Sequence, residues 1–521
     1  MKRRISIIIW LLSIVAMFIA CKPEEMPSKP SVPIQPARDT IITDTLVLSY
    51  GQLKDKIKGG WAGQTIGVTY GGPTEFKWQA QIIPDAQEIE WYTGYVKDMM
   101  NSCPDLYDDV YVETSFLDVI EKKGINAHIN EFSNALAKGD YNLWGANQMA
   151  RFNILHGIDG VQSGYWLNNV HCDDLDFQIE SDFIGLMNPA MPNSSSAISD
   201  KIGHIMAYGD GWYGGVFFSA MYTLTFVSDS IEWIVTEALK AIPKETKYYK
   251  CIADVIRWHN LFPDNWKQTW RNIQMYYSDE DGCPDGVFNN FNPEARFNSA
   301  YVVLALLYGG GDFGKTIDIA TRCGQDSDCN PSSAGGILGA ILGYSQIPRQ
   351  WMNSLNGAED IKFQGPGLTL NQIYDISYRH ALQIINGNGG RLTTDSVYIA
   401  MEKPKTVRYE QSFEHTIPVQ RVSLNNDDVN IQSFTFKGTG FALRGEVYKK
   451  RDGLPDGELS AKLYIDGKEV ETVYFPTNYR TRRIDAFWKF GLPNVTHEIT
   501  IKTAYNNSYG LRIWDYIIYS Y

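Results

Sequence analysis

Apolar positions recur three and four residues apart along most of the chain, and the period changes to two towards its C-terminal end. Leu53, Ile57, Trp61 and Ile66 form a helical stripe that runs into Gly71-Gly72-Pro73, a turn signal. Val112, Phe116, Val119 and Ile120 mark one face of a second helix, with Glu113, Asp118 and Glu121 placed off that face. Ala300 to Tyr308 is apolar throughout and predicts a helix buried on all sides. In the segment Gly335 to Gly343, small residues at 336, 339, 340 and 343 permit close approach to another helix. Strand signals are scarce between residues 46 and 395, so this stretch reads as an all-α domain.

Residues 400–521 read differently. Phe434-Thr435-Phe436, Ala461 to Ile465 and Ile499 to Lys502 alternate or run as β-formers, with turns at Asp466-Gly467 and Asn506-Asn507. Short strands with regular turns predict an all-β sandwich, jelly-roll-like. Its "LYIDGKEVETV" and "THEITIKT" segments resemble sugar-binding modules, and a sandwich that merely packs on the helical domain explains them equally well.

The N-terminus is an address. Lys2, Arg3 and Arg4 precede an apolar run from Ile5 to Ala20, too short to span a bilayer, and Cys21 follows it. Residues 1–20 predict a signal peptide, and Cys21 sits where a bacterial lipobox places the lipidated cysteine. An ordinary secretory signal with an incidental cysteine is the alternative. Residues 21–45 favour lipidation, because the five prolines between Lys22 and Pro36 make a semi-extended tether. The expectation is a lipid-anchored protein of the bacterial cell envelope, in the outer membrane. With 44% hydrophobic and 21% charged residues the chain is an ordinary globular one, and its net charge of −13 argues against nucleic acid as a partner. The six further cysteines show no CxxC pairing, which leaves a zinc reading little support.

Acidic residues gather at three places in the helical region. Asp108 and Asp109 stand where the second helix begins, a favourable place for negative charge and equally the place of an ordinary cap. Asp326-Ser327-Asp328 is an Asp-x-Asp pair, able to turn two carboxylates towards one hard cation and also common in turns. Cys172 to Asp182 carries Asp173, Asp174, Asp176 and Glu180; read as a helix, it puts Asp173, Asp176 and Glu180 on one face. Apolar neighbours crowd these carboxylates, which favours a functional role over a solvated face.

"KIKGGWAGQTIGVTYGGPTEF", "DLYDDVYVE", "DDLDFQIESDFIGLM", "AYGDGWYGG", "FNSAYVVLALLYGGGDF" and "GQDSDCNPSSAGGILGAILG" follow one another in the order and spacing of a known family. Over roughly residues 50–350 the chain resembles the ADP-ribosylglycohydrolases. The resemblance implies an all-α fold over 46–395 with two magnesium-type ions in a cleft, Mn2+ or Ca2+ being compatible with the same ligands. It implies Asp108 and Asp109 as the first ligand pair, and Asp326 and Asp328 as the second. Glu75 corresponds to a glutamate over the cleft that positions or activates water, and one of Asp173, Asp174 and Asp176 to the general acid/base. Gly209-Asp210-Gly211 corresponds to a substrate-lining loop. The chain departs from the pattern at Tyr107 and Cys329, where a hydroxyl residue is usual, and at Gln64, usually an aspartate.

Three functions follow from resemblance and address together. The first is an exported, metal-dependent hydrolase of a glycosidic bond in a glycan, glycoside or nucleoside. The second is removal of ADP-ribosyl groups from an extracellular acceptor. The third is a sugar-binding lipoprotein without catalysis.

Overall fold

A short sheet joins the two ends of the helical region. In the computed structural model, which describes residues 44–278 and 282–521, strand β1 (Thr45–Ser49) pairs antiparallel with β3 (Ser396–Ala400). β2 (Arg391–Leu392) lies on the other side of β3. The helical domain is therefore flanked by a strand that starts at Thr45 and one that ends at Ala400. The helical fold expected over 46–395 stands, and this small sheet is an addition that the periodicity does not reveal. The reason is range: β1 alternates over only five residues, and its partner lies at the far end of the domain. The signal peptide, Cys21 and nearly all of the tether fall outside the described residues. Among the described residues, no helix is long and apolar enough to cross a membrane.

The helices that build the site are α1 (Tyr50–Gly71), α2 (Asp108–Lys123), α3 (Gly145–Leu155), α4 (Asp176–Ile179), α5 (Asp210–Leu224), α6 (Ala295–Gly309) and α7 (Cys329–Leu342). Ser49 starts α1 with a capping box: its hydroxyl accepts Gln52 N at 3.1 Å and its own N–H donates to Gln52 Oε1 at 2.9 Å. α1 and α7 then run together through glycine, as the small residues of α7 foretold. A Cβ on Gly63 would lie 2.1 Å from the Gly335 carbonyl oxygen, and one on Gly67 2.0 Å from that of Pro331. Both neighbours are backbone, so neither can swing aside. Gly63→Ala is expected to cost about 1–3 kcal/mol through overpacking. The check is a lower urea midpoint at unchanged slope.

Beyond Ala400, six strands form one antiparallel sheet in the order β4-β9-β5-β8-β6-β7. They are β4 (Ile417–Asn426), β5 (Ile431–Lys449), β6 (Glu458–Ile465), β7 (Lys468–Pro476), β8 (Phe487–Thr503) and β9 (Tyr509–Ser520). β6 and β7 are the hairpin expected at Asp466-Gly467, whose φ values of +51° and +77° are those of a two-residue hairpin turn. The long strands β5 and β8 tie the halves of the sheet together. One set of residues, including Phe441, Leu443, Leu463, Ile501 and Leu511, forms the domain's own core, which Met149 and Phe152 of α3 join. Another set, Ala442, Ile517 and Tyr519, packs with Trp166, Val170 and Cys172 of the helical domain. The sheet domain is thereby fastened onto the segment that leads into the central acidic group.

Candidate active site

The end of α1 and the start of α7 bring the two acidic pairs together. After α1 the chain crosses the loop before α7 by paired backbone bonds: Phe76 N to Gln325 O, 3.1 Å, and Gln325 N to Trp78 O, 3.1 Å. The Thr74 and Ser327 hydroxyls bond across the same seam at 2.9 Å. Glu75 is thus held against Asp326. From the first turn of α2, Asp109 meets the start of α7, where the Cys329 thiol donates to its Oδ1 at 3.2 Å. Ligand atoms of Asp108, Asp109 and Cys329 lie within 4.8 Å of one another, and so do those of Asp326, Asp328 and Cys329. Residues 108, 109, 326 and 328 therefore converge on one place, with Cys329 common to both groups.

Crowding sets the electrostatics. Burial, then Asp326 and Asp109, push the Glu75 carboxyl up to about 7. Burial raises Asp109 to about 6, against the pull of the Ser332 hydroxyl and the Cys329 thiol. Asp108 and Asp328 are driven well above the usual carboxylate range by burial and by their acidic neighbours. Asp109 Oδ2 and Asp328 Oδ1 are buried without any hydrogen-bond partner. Two bare oxygens in a cluster of carboxylates around one thiol fit a hard divalent cation, which takes oxygen ligands and would neutralise the repulsion. The departures from the family pattern leave this donor set intact. Tyr107 turns its hydroxyl to Thr69 Oγ1, 2.9 Å, and to Val96 O, 3.3 Å. Burial holds the Cys329 thiol well above its ordinary value, so it acts as a donor to Asp109. Gln64 donates to Glu113 Oε1 at 3.0 Å.

The central segment is not one continuous helix, so the helical reading that would put Asp173, Asp176 and Glu180 on one face does not apply. Asp173 O accepts Ala295 N at 2.8 Å, and Leu175 N donates to Pro293 O at 2.9 Å. These bonds to the 293–295 segment take the backbone groups a helix would need, and helical geometry starts only at α4. The three aspartates consequently part. Asp174 and Asp176 line the same cavity as Glu75, Asp108, Asp326 and Asp328, a cleft of about 610 Å3. Asp173 instead accepts the Ser412 hydroxyl and faces a second cavity of about 530 Å3, with Asp210. The loop Gly209-Asp210-Gly211 belongs to that second place: Gly211 N donates to Asp173 Oδ1 at 3.4 Å, and Asp210 pairs with Arg296 at 3.5 Å. Asp173 and residues 209–211 therefore do not line the cleft, contrary to the expectation from resemblance.

Asp174 and Asp176 differ in what they hold. Asp176 accepts the N–H groups of Ala146 and Asn147 at 3.2 and 3.0 Å, so it caps α3 from another segment. Burial and then Asp174 raise its carboxyl to about 7. Asp174 gives one oxygen to His171 Nδ1 at 2.9 Å, and its Oδ1 has no partner. Burial lifts Asp174 to about 6, with the His171 charge pulling it back.

Three contributors escaped the sequence reading. Glu113, placed off the apolar face of α2, is fully buried and accepts Phe183 N at 3.1 Å. Its spacing of four from Asp109 is the signal that puts both on one face. His171 is 2% exposed and bridges Asp174 to Asp485. Finally, the sheet domain walls the cleft with Arg444, Tyr479, Arg482, Asp485 and Trp514. His171, Asp174 and Asp285 also bring ligand atoms within 4.8 Å. Both ring nitrogens are already engaged by carboxylates, and Arg444 sits on Asp285, so this is an ion-pair cluster.

A helical domain with paired carboxylates beside a cleft offers acidic groups that could hold a metal ion. The ADP-ribosylglycohydrolase family model matches residues 50–375, more than half the sequence, and the chain belongs to that family. Membership places it among hydrolases of glycosidic-type bonds. Among solved structures, an "ADP-ribosylglycohydrolase-related protein complex" matches at 13% identity and TM-score 0.42, over 64% of this chain and 99% of that one. A family GH115 4-O-methyl-α-glucuronidase with specificity for decorated arabinogalactans matches at 10% identity and TM-score 0.18, over 63% of this chain and 42% of its own. No curated protein sequence matches.

Proposed function

We propose that this protein is an exported, lipid-anchored, divalent-cation-dependent hydrolase that cleaves the glycosidic bond of a glycan, glycoside or nucleoside outside the cytoplasm. The observation that carries the reading is the meeting of Asp108, Asp326 and Asp328 beside Glu75 on the wall of the 610 Å3 cleft, with Asp109 buried directly behind them. These four aspartates would hold Mg2+ or a similar ion pair. When bound, such ions supply Lewis acidity and a fixed seat for sugar hydroxyls. Glu75, whose carboxyl titrates near 7, removes a proton from the attacking water. Asp174 lines the cleft with its carboxyl raised by burial to about 6 and held back by His171, and in its ionised form it stabilises the positive charge that develops on the sugar ring. The exposed rings of Trp144 and Tyr479 at the cleft suit contacts with sugar faces.

The test is a screen of 4-nitrophenyl glycosides, nucleosides and ADP-ribose, each with Mg2+ and with EDTA. Turnover of a glycoside or nucleoside, lost in EDTA and restored by Mg2+, is expected. Preference for ADP-ribosyl acceptors would move the assignment to the family's name reaction. Specific sugar binding without any turnover would leave a binding lipoprotein. For the anchor, Cys21→Ser is expected to release the protein from the membrane fraction.

A further inference from the structure

We infer that the C-terminal sheet domain completes the active site: Asp485 grips His171, and through that ring fixes Asp174 in the cleft wall. The inference rests on the hydrolase reading for Asp174's task, but its geometry stands alone. His171 Nε2 meets Asp485 Oδ2 at 2.6 Å and Nδ1 meets Asp174 Oδ2 at 2.9 Å. A neutral imidazole has one N–H, so it cannot donate to two carboxylates at once; with Asp174 and Asp485 both ionised, this ring carries both protons. Burial alone would depress its affinity for the second proton. The carboxylates of Asp174 and Asp485 outweigh that and hold His171 well above its ordinary value.

The strap is braced from behind. Arg444 of β5 pairs with Asp285, and lies 3.8 Å from Asp485 and 3.5 Å from Asp515; Arg421 of β4 pairs with Asp515 at 3.0 Å. Four carboxylates, Asp174, Asp285, Asp485 and Asp515, thus face three cations, His171, Arg444 and Arg421. One negative charge is left over. Asp174 and Asp515 each carry one oxygen without a hydrogen-bond partner, and of these two only Asp174 lines the cleft. The groups facing His171 are Asp174, Asp285 and Asp485, and those facing Asp174 are His171, Asp285, Asp176 and Cys283. Asp485 is a positioning residue, reached from a domain that the family match does not include.

The full chain with 15N-labelled histidine tests this, the His171 signals being assigned by their loss in His171→Asn. In the wild type, both ring nitrogens are expected to be protonated at pH 7. In Asp485→Asn the ring is expected to become neutral by pH 7. With the 4-nitrophenyl glycoside that the wild type turns over fastest, kcat should fall about 10- to 100-fold, with KM within about twofold. The rising limb of the rate profile should move to higher pH, because Asp174 loses the cation that favours its ionised form. Asp485→Glu should restore most of the rate and the limb. A lost packing contact would lower the melting temperature without moving either titration. A singly protonated His171 in the wild type overturns the inference, and so does an Asp485→Asn protein with both titrations unmoved. If Asp485→Asn does not fold, the wild-type spectrum decides. If no glycoside is turned over, the hydrolase reading fails while the histidine spectrum still judges the strap.

Discussion

Asp326→Ala is expected to lower turnover about a thousandfold or more, with the helical circular dichroism unchanged. Several kcal/mol of charge stabilisation at the transition state are at stake when a cation seat is removed, and each 1.36 kcal/mol is about tenfold in rate. The fold should survive for an electrostatic reason. Asp326 stands among Glu75, Asp109 and Asp328, and these groups raise one another. A carboxyl whose folded pKa exceeds its unfolded value adds stability below the unfolded value, and that stability is lost as pH rises through the folded one. For Asp109 the loss runs from about 4 to about 6, and for Glu75 from about 4.5 to about 7. In EDTA the wild type should therefore soften between pH 4 and 7, whereas Asp326→Ala, with one repulsive charge fewer, should melt no lower than the wild type at pH 7. Added Mg2+ should raise the wild-type melting temperature, increasingly so across the same pH window, and leave the variant unmoved. A variant that keeps both its turnover and its Mg2+ response would falsify the assignment of the cation seat.

The parts of this site that could be read in the sequence are those set by local rules. Asp108 and Asp109 were legible because helix starts favour acids and the apolar stripe behind them fixes where α2 begins. The glycines of α7 were legible as a packing surface, although which helix they met was not. Glu113 lies off the apolar stripe, and its burial could not be read there because its partners Gln64 and Phe183 come from other segments. The 172–182 segment misled for a similar reason, since its helical pattern is local and the bonds that interrupt it come from residues 293–295. Asp485 lies 314 positions from the histidine it grips. No periodicity carries such a contact, and the same distance hid β1 from its partner β3.

Asp174→Asn is expected to reduce kcat about 100- to 1,000-fold, the scale on which one preorganised electrostatic group acts in a dry cleft. In the wild type the rate should climb in two steps, with Glu75 near pH 7 and, below it, Asp174 near pH 6, where burial has lifted it and His171 restrains the lift. Asparagine keeps the shape and a partner for His171 but cannot ionise, so the limb near pH 6 should vanish from the profile. The neighbouring aspartates provide the contrast. Asp176→Ala removes the cap on Ala146 and Asn147 and should cost about 0.5–2 kcal/mol of stability. Its turnover should fall far less than that of Asp174→Asn. Asp173→Asn, lying in the other cavity, should leave the rate profile as it is. Rates at several pH values, set beside urea unfolding of the three variants, separate these roles. If the limb near pH 6 survives in Asp174→Asn and is lost instead in Asp176→Ala, the charge that stabilises the sugar belongs to Asp176.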